Sequence, residues 1–226
     1  MKSKEIIIFG NGKISETISY YAESECGYKI AAFACDRAFR KNSTFLNRPL
    51  VDFEDVETLY SPAKYDMFVA VGYHDLNRLR EKKCDEAVTK GYHLVSVISA
   101  LANLPSNTKV GYNCFAGPPS AVQPFVVLGN NTFIWPGAIV GHHTKIGHNV
   151  WLTASANIGG NAIIGDNCFI GLNATIGHCI SVGSHCFLGA NVLVTKDMEE
   201  MQVVITESQN PIRLNSDQFL KVSKFS

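Results

Sequence analysis

The sequence predicts a small Rossmann-like α/β unit over residues 1–98, a parallel β-helix over 99–196, and a closing segment over 197–226 that covers the open end of the coils. Three observations carry this. The first part of the chain alternates apolar runs with helical stretches, the grammar of a parallel sheet with crossover helices. The second part places a large aliphatic residue at every sixth position, and a fixed repeat outranks any local reading. The whole chain has 226 residues, 46% hydrophobic and 18% charged. That length buries roughly 70% of the unfolded surface, which excludes a disordered chain.

Taken in order, Ile6-Ile7-Ile8-Phe9 reads as a buried strand, and Gly10-Asn11-Gly12 as the turn into a helix carrying Ile14, Ile18 and Tyr21. Ile30 to Phe33 form a second strand ending at Cys35-Asp36, and Met67 to Val71 a third ending at Gly72-Tyr73. A charged helix follows from Asn77 to Lys90, on which Arg78, Arg80, Lys82 and Lys83 read as a solvated basic face. A last strand spans His93 to Ile98. Open α/β sheets bind ligands at the carboxyl ends of their strands, so Gly10, Asn11, Gly12, Asp36, Gly72 and Tyr73 are expected around one crevice. There Asp36 accepts hydrogen bonds from a ribose or base edge, or equally serves as a turn cap.

In the second part the repeat runs Val110, Ala116, Val122, Leu128, Ile134, Val140, Ile146, Leu152, Ile158, Ile164, Ile170, Ile176, Val182, Leu188. Only Ala116 departs from a large aliphatic, and each is followed by glycine except at Gln123, Trp135 and Thr153. Four positions on, the residue is mostly small, as at Thr132, Ala138, Thr144 and Ala156, and Cys114, Cys168 and Cys186 share that slot as core filler. A serine there is expected to destabilise, because a hydroxyl in an apolar slot lacks a partner. Three positions on, Asn recurs at Asn113, Asn131, Asn149, Asn161, Asn167, Asn173 and Asn191, a residue that tolerates the left-handed conformation of a sharp corner. One large inward residue, one small inward residue and a corner make one side of a prism. Three such sides make a coil, and stacked coils lie about 4.8 Å apart.

Lys plus Arg and Asp plus Glu number 20 each, so the formal net charge is zero and no field steers polyanions, which argues against nucleic acid or a membrane surface as partner. No long apolar run or secretory leader is evident, and a soluble, cytoplasmic protein is expected. Seven cysteines without a C-x-x-C argue against a disulfide framework and a thiolate zinc site.

The most specific stretch is Val140-Gly141-His142-His143-Thr144-Lys145-Ile146-Gly147, followed by Ile158-Gly159-Gly160 and Ile164-Gly165-Asp166-Asn167-Cys168-Phe169-Ile170-Gly171. With these segments the chain resembles the hexapeptide-repeat acyltransferases. With an α/β unit ahead of the repeat it resembles, more narrowly, the bacterial nucleotide-sugar group that holds sialic-acid O-acetyltransferases and UDP-4-amino-sugar N-acetyltransferases. The resemblance implies a left-handed coil, where the general crossover rule favours the right hand. It also implies a homotrimer, acetyl-CoA as cosubstrate, a nucleotide-linked sugar as acceptor, and His142 as general base. This chain carries His143 where the family usually has an acidic residue, and Trp151 where the family's second His falls.

Stepping by one coil stacks His142, Gly160, His178 and Lys196 in a column. Gly160 is expected to leave room for a thioester and to offer its N–H to the carbonyl oxyanion. His178 and Lys196 continue towards the cofactor's phosphates, and Arg213 falls in a tail where such acyltransferases contact coenzyme A. The expected reaction is acetyl transfer to the amino group of a nucleotide-linked deoxyaminosugar, with O-acetylation of a sugar hydroxyl as its nearest rival. His143 and His148 at their spacing also resemble part of the zinc site of trimeric γ-class carbonic anhydrases, and a non-catalytic scaffold is the remaining class.

Overall fold

The computed structural model describes residues 5–223. The apolar run of β1 (Glu5–Phe9) is buried from Ile6 onward, which forces it to the interior of a sheet. The other strands of that sheet are β2 (Lys29–Cys35), β3 (Thr44–Phe45), β4 (Arg48–Asp52) and, beyond α2 (Val56–Leu59), β5 (Asp66–Val69). The order is β3-β4-β2-β1-β5, parallel except between β3 and β4. Between β1 and β2 runs α1 (Lys13–Ser24), which buries Ile18 and Ala22 against the sheet, and after β5 comes α3 (Arg78–Thr89).

The single last strand expected over His93–Ile98 is divided. Leu94 bridges to Met67 at the edge of the α/β sheet, whereas β6 (Val97–Ile98) pairs with Phe115–Ala116 in the coil. The reason is periodic: Ile98 and Leu104 precede Val110 at six-residue steps and pack on the coil core. The coil thus begins inside the segment assigned to the first unit.

From there the chain winds as a left-handed parallel β-helix. Two sides are five-stranded sheets and the third is seven-stranded, each strand pairing with the one a coil later, as Val127–Leu128 does with Lys145–Ile146. The corner slot has the positive φ that the asparagines imply, 59° at Asn131 and 60° at Asn149, and His143 and His185 share it at 58° and 60°. Cys114, Cys168 and Cys186 are fully buried in the small inward slot. The expectation that a hydroxyl there lacks a partner is overturned. Thr132 and Thr144 occupy the same slot and donate to the Gly147 and Gly159 carbonyls at 2.9 Å, as Cys168 Sγ does to Gly183 at 3.1 Å.

The closing segment also differs from expectation. Val194 and Met198 are four positions apart where the repeat asks for six, yet Met198 bridges Val182 and Val203–Val204 pair with Phe187–Leu188, so the coil continues to Val204. Beyond it α4 (Ser216–Ser223) buries none of its residues, whereas a closing segment is expected to pack on the coil.

The two units are joined along the seven-stranded side. Phe115, Phe133, Trp151, Phe169 and Phe187, one per coil, form an aromatic ladder on its outer face, with neighbouring rings 5.9 Å apart at Phe115–Phe133 and 4.8 Å at Phe169–Phe187. Ile8, Ile18 and Phe68 of the α/β unit pack on that ladder. At the adjacent corner the amide of Asn113 donates to Asn131, and Asn131 to Asn149, while Asn113 pairs with the backbone of Val69.

Arg80 and Lys83, expected on a solvated face, point inward instead. The buried stripe of α3 is Arg80, Lys83, Cys84 and Ala87. Arg80 is 0% exposed: its guanidinium lies 4.4 Å from the Phe133 ring centroid and donates to Asn131 Oδ1, Asn77 Oδ1 and the carbonyls of Gly72, Asn131 and Asn149. Burial pulls its pKa below the usual guanidinium value, and all of these acceptors are neutral. Arg80 therefore ties the α/β unit to the corner of the coil. Among the described residues no helix is long and apolar enough to cross a membrane.

Candidate functional site

The Val140–Gly141 step carries the chain out of a strand and into a corner, so the side chain of His142 projects outward beside the positive-φ residue His143. Both rings are exposed. The Nδ1 atoms of His142 and His143 face one another at 3.2 Å, a distance at which one nitrogen donates and the other accepts. Phe125, at the same corner one coil earlier, lies on the His143 ring with centroids 4.6 Å apart. Gln123, which breaks the glycine rule of the repeat, accepts from the His142 backbone N–H at 2.9 Å. Neither Phe125 nor Gln123 was singled out by sequence reasoning, although the departure from glycine at Gln123 was a visible signal.

Gly160 stacks on His142 as the register requires. A Cβ at Gly160 would stand 2.9 Å from Nε2 and Cε1 of His142, so only glycine fits beside an unmoved ring. The expected free N–H is not free: it donates to Nδ1 of His178, the next residue of the column, at 2.9 Å. Gly160 thus leaves space at His142 while His178 holds its donor. Next to the column a groove of about 310 Å³ is floored by Gly141, Gly159, Gly160 and Gly177, with His178 at its rim. Lys196 is exposed at the end of the column, and Arg213 lies in the exposed tail.

The residues expected around one crevice do meet. Gly10, Asn11, Gly12, Asp36, Gly72 and Tyr73 all line a cleft of about 710 Å³ at the carboxyl ends of β1, β2 and β5. Gly10 has a φ of +127°, and a Cβ there would meet the Ala70 carbonyl at 2.8 Å, so the turn itself demands glycine. Gly12 and Gly72 face no such obstacle. Gly12 is the N-cap of α1 and supplies no capping side chain, which leaves first-turn N–H groups unmet by the protein. Asp36 makes no capping bond, which removes the turn-cap alternative. Its Oδ1 accepts from Lys83 Nζ at 2.6 Å, and Glu86 holds the same ammonium at 2.7 Å. Burial works against that charge, but the two carboxylates outweigh it and hold the Lys83 pKa up.

The cleft and His142 stand on opposite flanks of one chain. The α/β unit covers the aromatic side of the prism, whereas His142, between Ile139–Val140 and Lys145–Ile146, occupies the corner where the other two sides meet. No residue lines both the cleft and the glycine groove. His143 and His148 are likewise on different corners, and Nδ1 of His148 accepts from the Asn130 N–H at 3.0 Å, so within one chain they do not share a metal.

Two family models match the repeat: one described as bacterial transferase hexapeptide (six repeats), over residues 143–178, and one described as hexapeptide repeat of succinyl-transferase, over residues 161–196. No curated protein matches the chain. Among solved structures, a mutant of perosamine N-acetyltransferase from Caulobacter crescentus, in complex with CoA and GDP-perosamine, is 23% identical with a TM-score of 0.82, covering 89% of this chain and 93% of that one. The acetyltransferase domain of PglB from Neisseria gonorrhoeae, in complex with acetyl coenzyme A, is 20% identical with a TM-score of 0.61, covering 93% and 100%. WeeI from Acinetobacter baumannii is 20% identical with a TM-score of 0.65, covering 89% and 97%. These likenesses establish the fold, an α/β unit joined to a left-handed β-helix.

Proposed function

We propose that this chain transfers the acetyl group of acetyl-CoA to the amino group of a nucleotide-linked deoxyaminosugar. The observation that carries the reading is the His142–His143 pair beside the space kept open by Gly160. A base at Nε2 of His142 needs its proton on Nδ1, and His143 Nδ1 is placed to accept it, so the second imidazole does the orienting work of an acidic neighbour. The amine nitrogen bonds to the acyl carbon, the C–S bond breaks, and His142 Nε2 takes the proton that the amine sheds. That proton is available to the departing thiolate. No covalent enzyme intermediate is needed, because no Ser or Cys nucleophile pairs with His142.

In this reading the glycine groove takes the pantetheine arm, with His178 and Lys196 further along the column and Arg213 in the tail towards the phosphates. The sugar nucleotide lies in the α/β cleft. Gly12 and Gly72, which the fold leaves free to carry a side chain, keep backbone bare for it. The structurally similar perosamine N-acetyltransferase was crystallised in complex with CoA and GDP-perosamine. Because cleft and base stand on opposite flanks of one chain, the working site combines the cleft of one subunit with His142 of another, in a cytoplasmic homotrimer.

Release of free CoA thiol, followed with a panel of nucleotide-linked sugars, tests the reading. Turnover confined to sugars that bear an amine supports it. Turnover on sugars with hydroxyls alone would make the enzyme an O-acetyltransferase, and absence of both turnover and CoA binding would overturn it.

A further inference from the structure

Phe39 and Leu79 are large apolar side chains that stand exposed at the α/β cleft. Phe39, in the short 3₁₀ turn just after β2 and Asp36, is 68% exposed, and Leu79, in the first turn of α3, is 39% exposed. Both line the α/β cleft, and both also line a second opening of about 740 Å³ that continues it past His74. They therefore flank one gap between the two openings. The gap lies at the Asp36 end of the cleft, where the Lys83 ammonium pins Asp36 through Oδ1 and leaves Oδ2 without a protein hydrogen bond. Elsewhere along the same cleft lie Gly12 and the uncapped first turn of α1, where anions are favoured.

We infer that Phe39 and Leu79 form the base-binding clamp of this cleft, stacking the nucleobase of a nucleoside diphosphate, and that Lys83 is the positioning residue that aims Asp36 at the nucleoside. The inference rests on the proposed use of the cleft for a sugar nucleotide, and it goes further by assigning residues that the reaction itself does not use. A flat ring between an aromatic face and an aliphatic one removes apolar surface from water on both of its sides, and every base has such a face. The free oxygen of Asp36 accepts from an N–H of the base or a ribose hydroxyl. Lys83, with donors already committed to Asp36 and Glu86, locks the rotamer of the carboxylate.

Calorimetric titration of the full chain with UDP, GDP and ADP tests the clamp, with CoA titrated separately. Phe39→Ala is expected to weaken every nucleoside diphosphate that the wild type binds by on the order of 10-fold, with Leu79→Ala in the same direction and Phe39→Tyr close to wild type. CoA affinity should not move. Lys83→Met should weaken the same nucleotides, and the loss should shrink for a 2′,3′-dideoxy nucleotide if Asp36 reads the ribose and persist if it reads the base. Phe39→Ala binding the nucleotides as tightly as wild type would overturn the clamp while leaving the proposed reaction intact. Wild type binding no nucleoside diphosphate, with CoA still bound, would overturn the clamp and the sugar-nucleotide half of the reading together.

Discussion

The coil and the α/β unit solve the same problem, burying a core, by opposite means. In the coil each inward residue meets its own counterpart one turn away, Val140 beside Ile158 and Ile146 beside Ile164, so contacts are local and repeated. In the α/β unit β1 pairs with the next strand on one side and with the distant β5 on the other, so its neighbours follow no period and are fixed only by the whole topology. The coil therefore offers a rigid outer surface whose side chains are positioned by register, which suits the chemistry proposed for His142 and His143. The α/β unit ends its strands in turns that open a cleft, which suits a ligand with several polar groups. The junction between them, Arg80 set among neutral acceptors and aromatic faces, belongs to neither pattern.

The proposed function divides the labour, with chemistry on the coil and sugar-nucleotide binding in the unit. His142→Asn is expected to lower the acetyl-transfer rate on the order of 10²–10⁴-fold while CoA affinity stays near wild type. Steady-state kinetics with a CoA titration check this, and a loss seen mainly in CoA binding would move the chemistry elsewhere.

Next in size is the junction. Arg80→Met keeps much of the volume but strips five acceptors, Gly72 O, Asn131 O, Asn149 O, Asn77 Oδ1 and Asn131 Oδ1, of a buried donor. Chemical unfolding should show a loss of about 3–5 kcal/mol. A variant as stable as wild type would mean that Arg80 is a burden on the fold rather than its bolt.

How far these regions were legible in the sequence follows from the same contrast. The inward slots, the corners and the His142–Gly160–His178 column were readable because a period needs no knowledge of partners. The aromatic ladder repeats with the same period at Phe115, Phe133, Trp151, Phe169 and Phe187, yet its meaning was hidden, since an outward aromatic is explained only by the unit that lands on it. In α3 the buried stripe falls at the i, i+3, i+4, i+7 positions but is filled by Arg80 and Lys83, so patterning by hydrophobicity pointed the helix the wrong way. The six cleft residues were legible because strand ends converge. Phe39 and Lys83 were not, because what exposes the one and buries the other is tertiary.

A smaller effect separates the two histidines. If His143 orients its neighbour as proposed, His143→Ala should cost roughly tenfold in kcat, and His143→Glu should recover much of it by accepting the same Nδ1 proton. A His143→Ala loss larger than that of His142→Asn would exchange their roles.

Smallest is a substitution inside the coil. Cys168→Thr places a hydroxyl where Thr132 and Thr144 already donate to the carbonyl one strand on, and its cost should stay below about 1 kcal/mol. Thermal unfolding reads it, and a loss of several kcal/mol would mean that thiol packing and not hydrogen bonding governs the slot.

The central claim is that the unit of one subunit serves the coil of another. Co-assembling His142→Asn chains with Gly12→Trp chains tests it, since nothing lies within 4 Å of a Cβ at Gly12 and the added ring fills the cleft without disturbing the turn. Each parent is expected to be nearly inactive. If cleft and base come from different subunits, an equal mixture pairs an intact cleft with an intact His142 at about a quarter of its sites and regains that share of wild-type activity. Activity no greater than that of the parents, in mixed trimers confirmed by mass, would contradict the account and place the whole site within one chain.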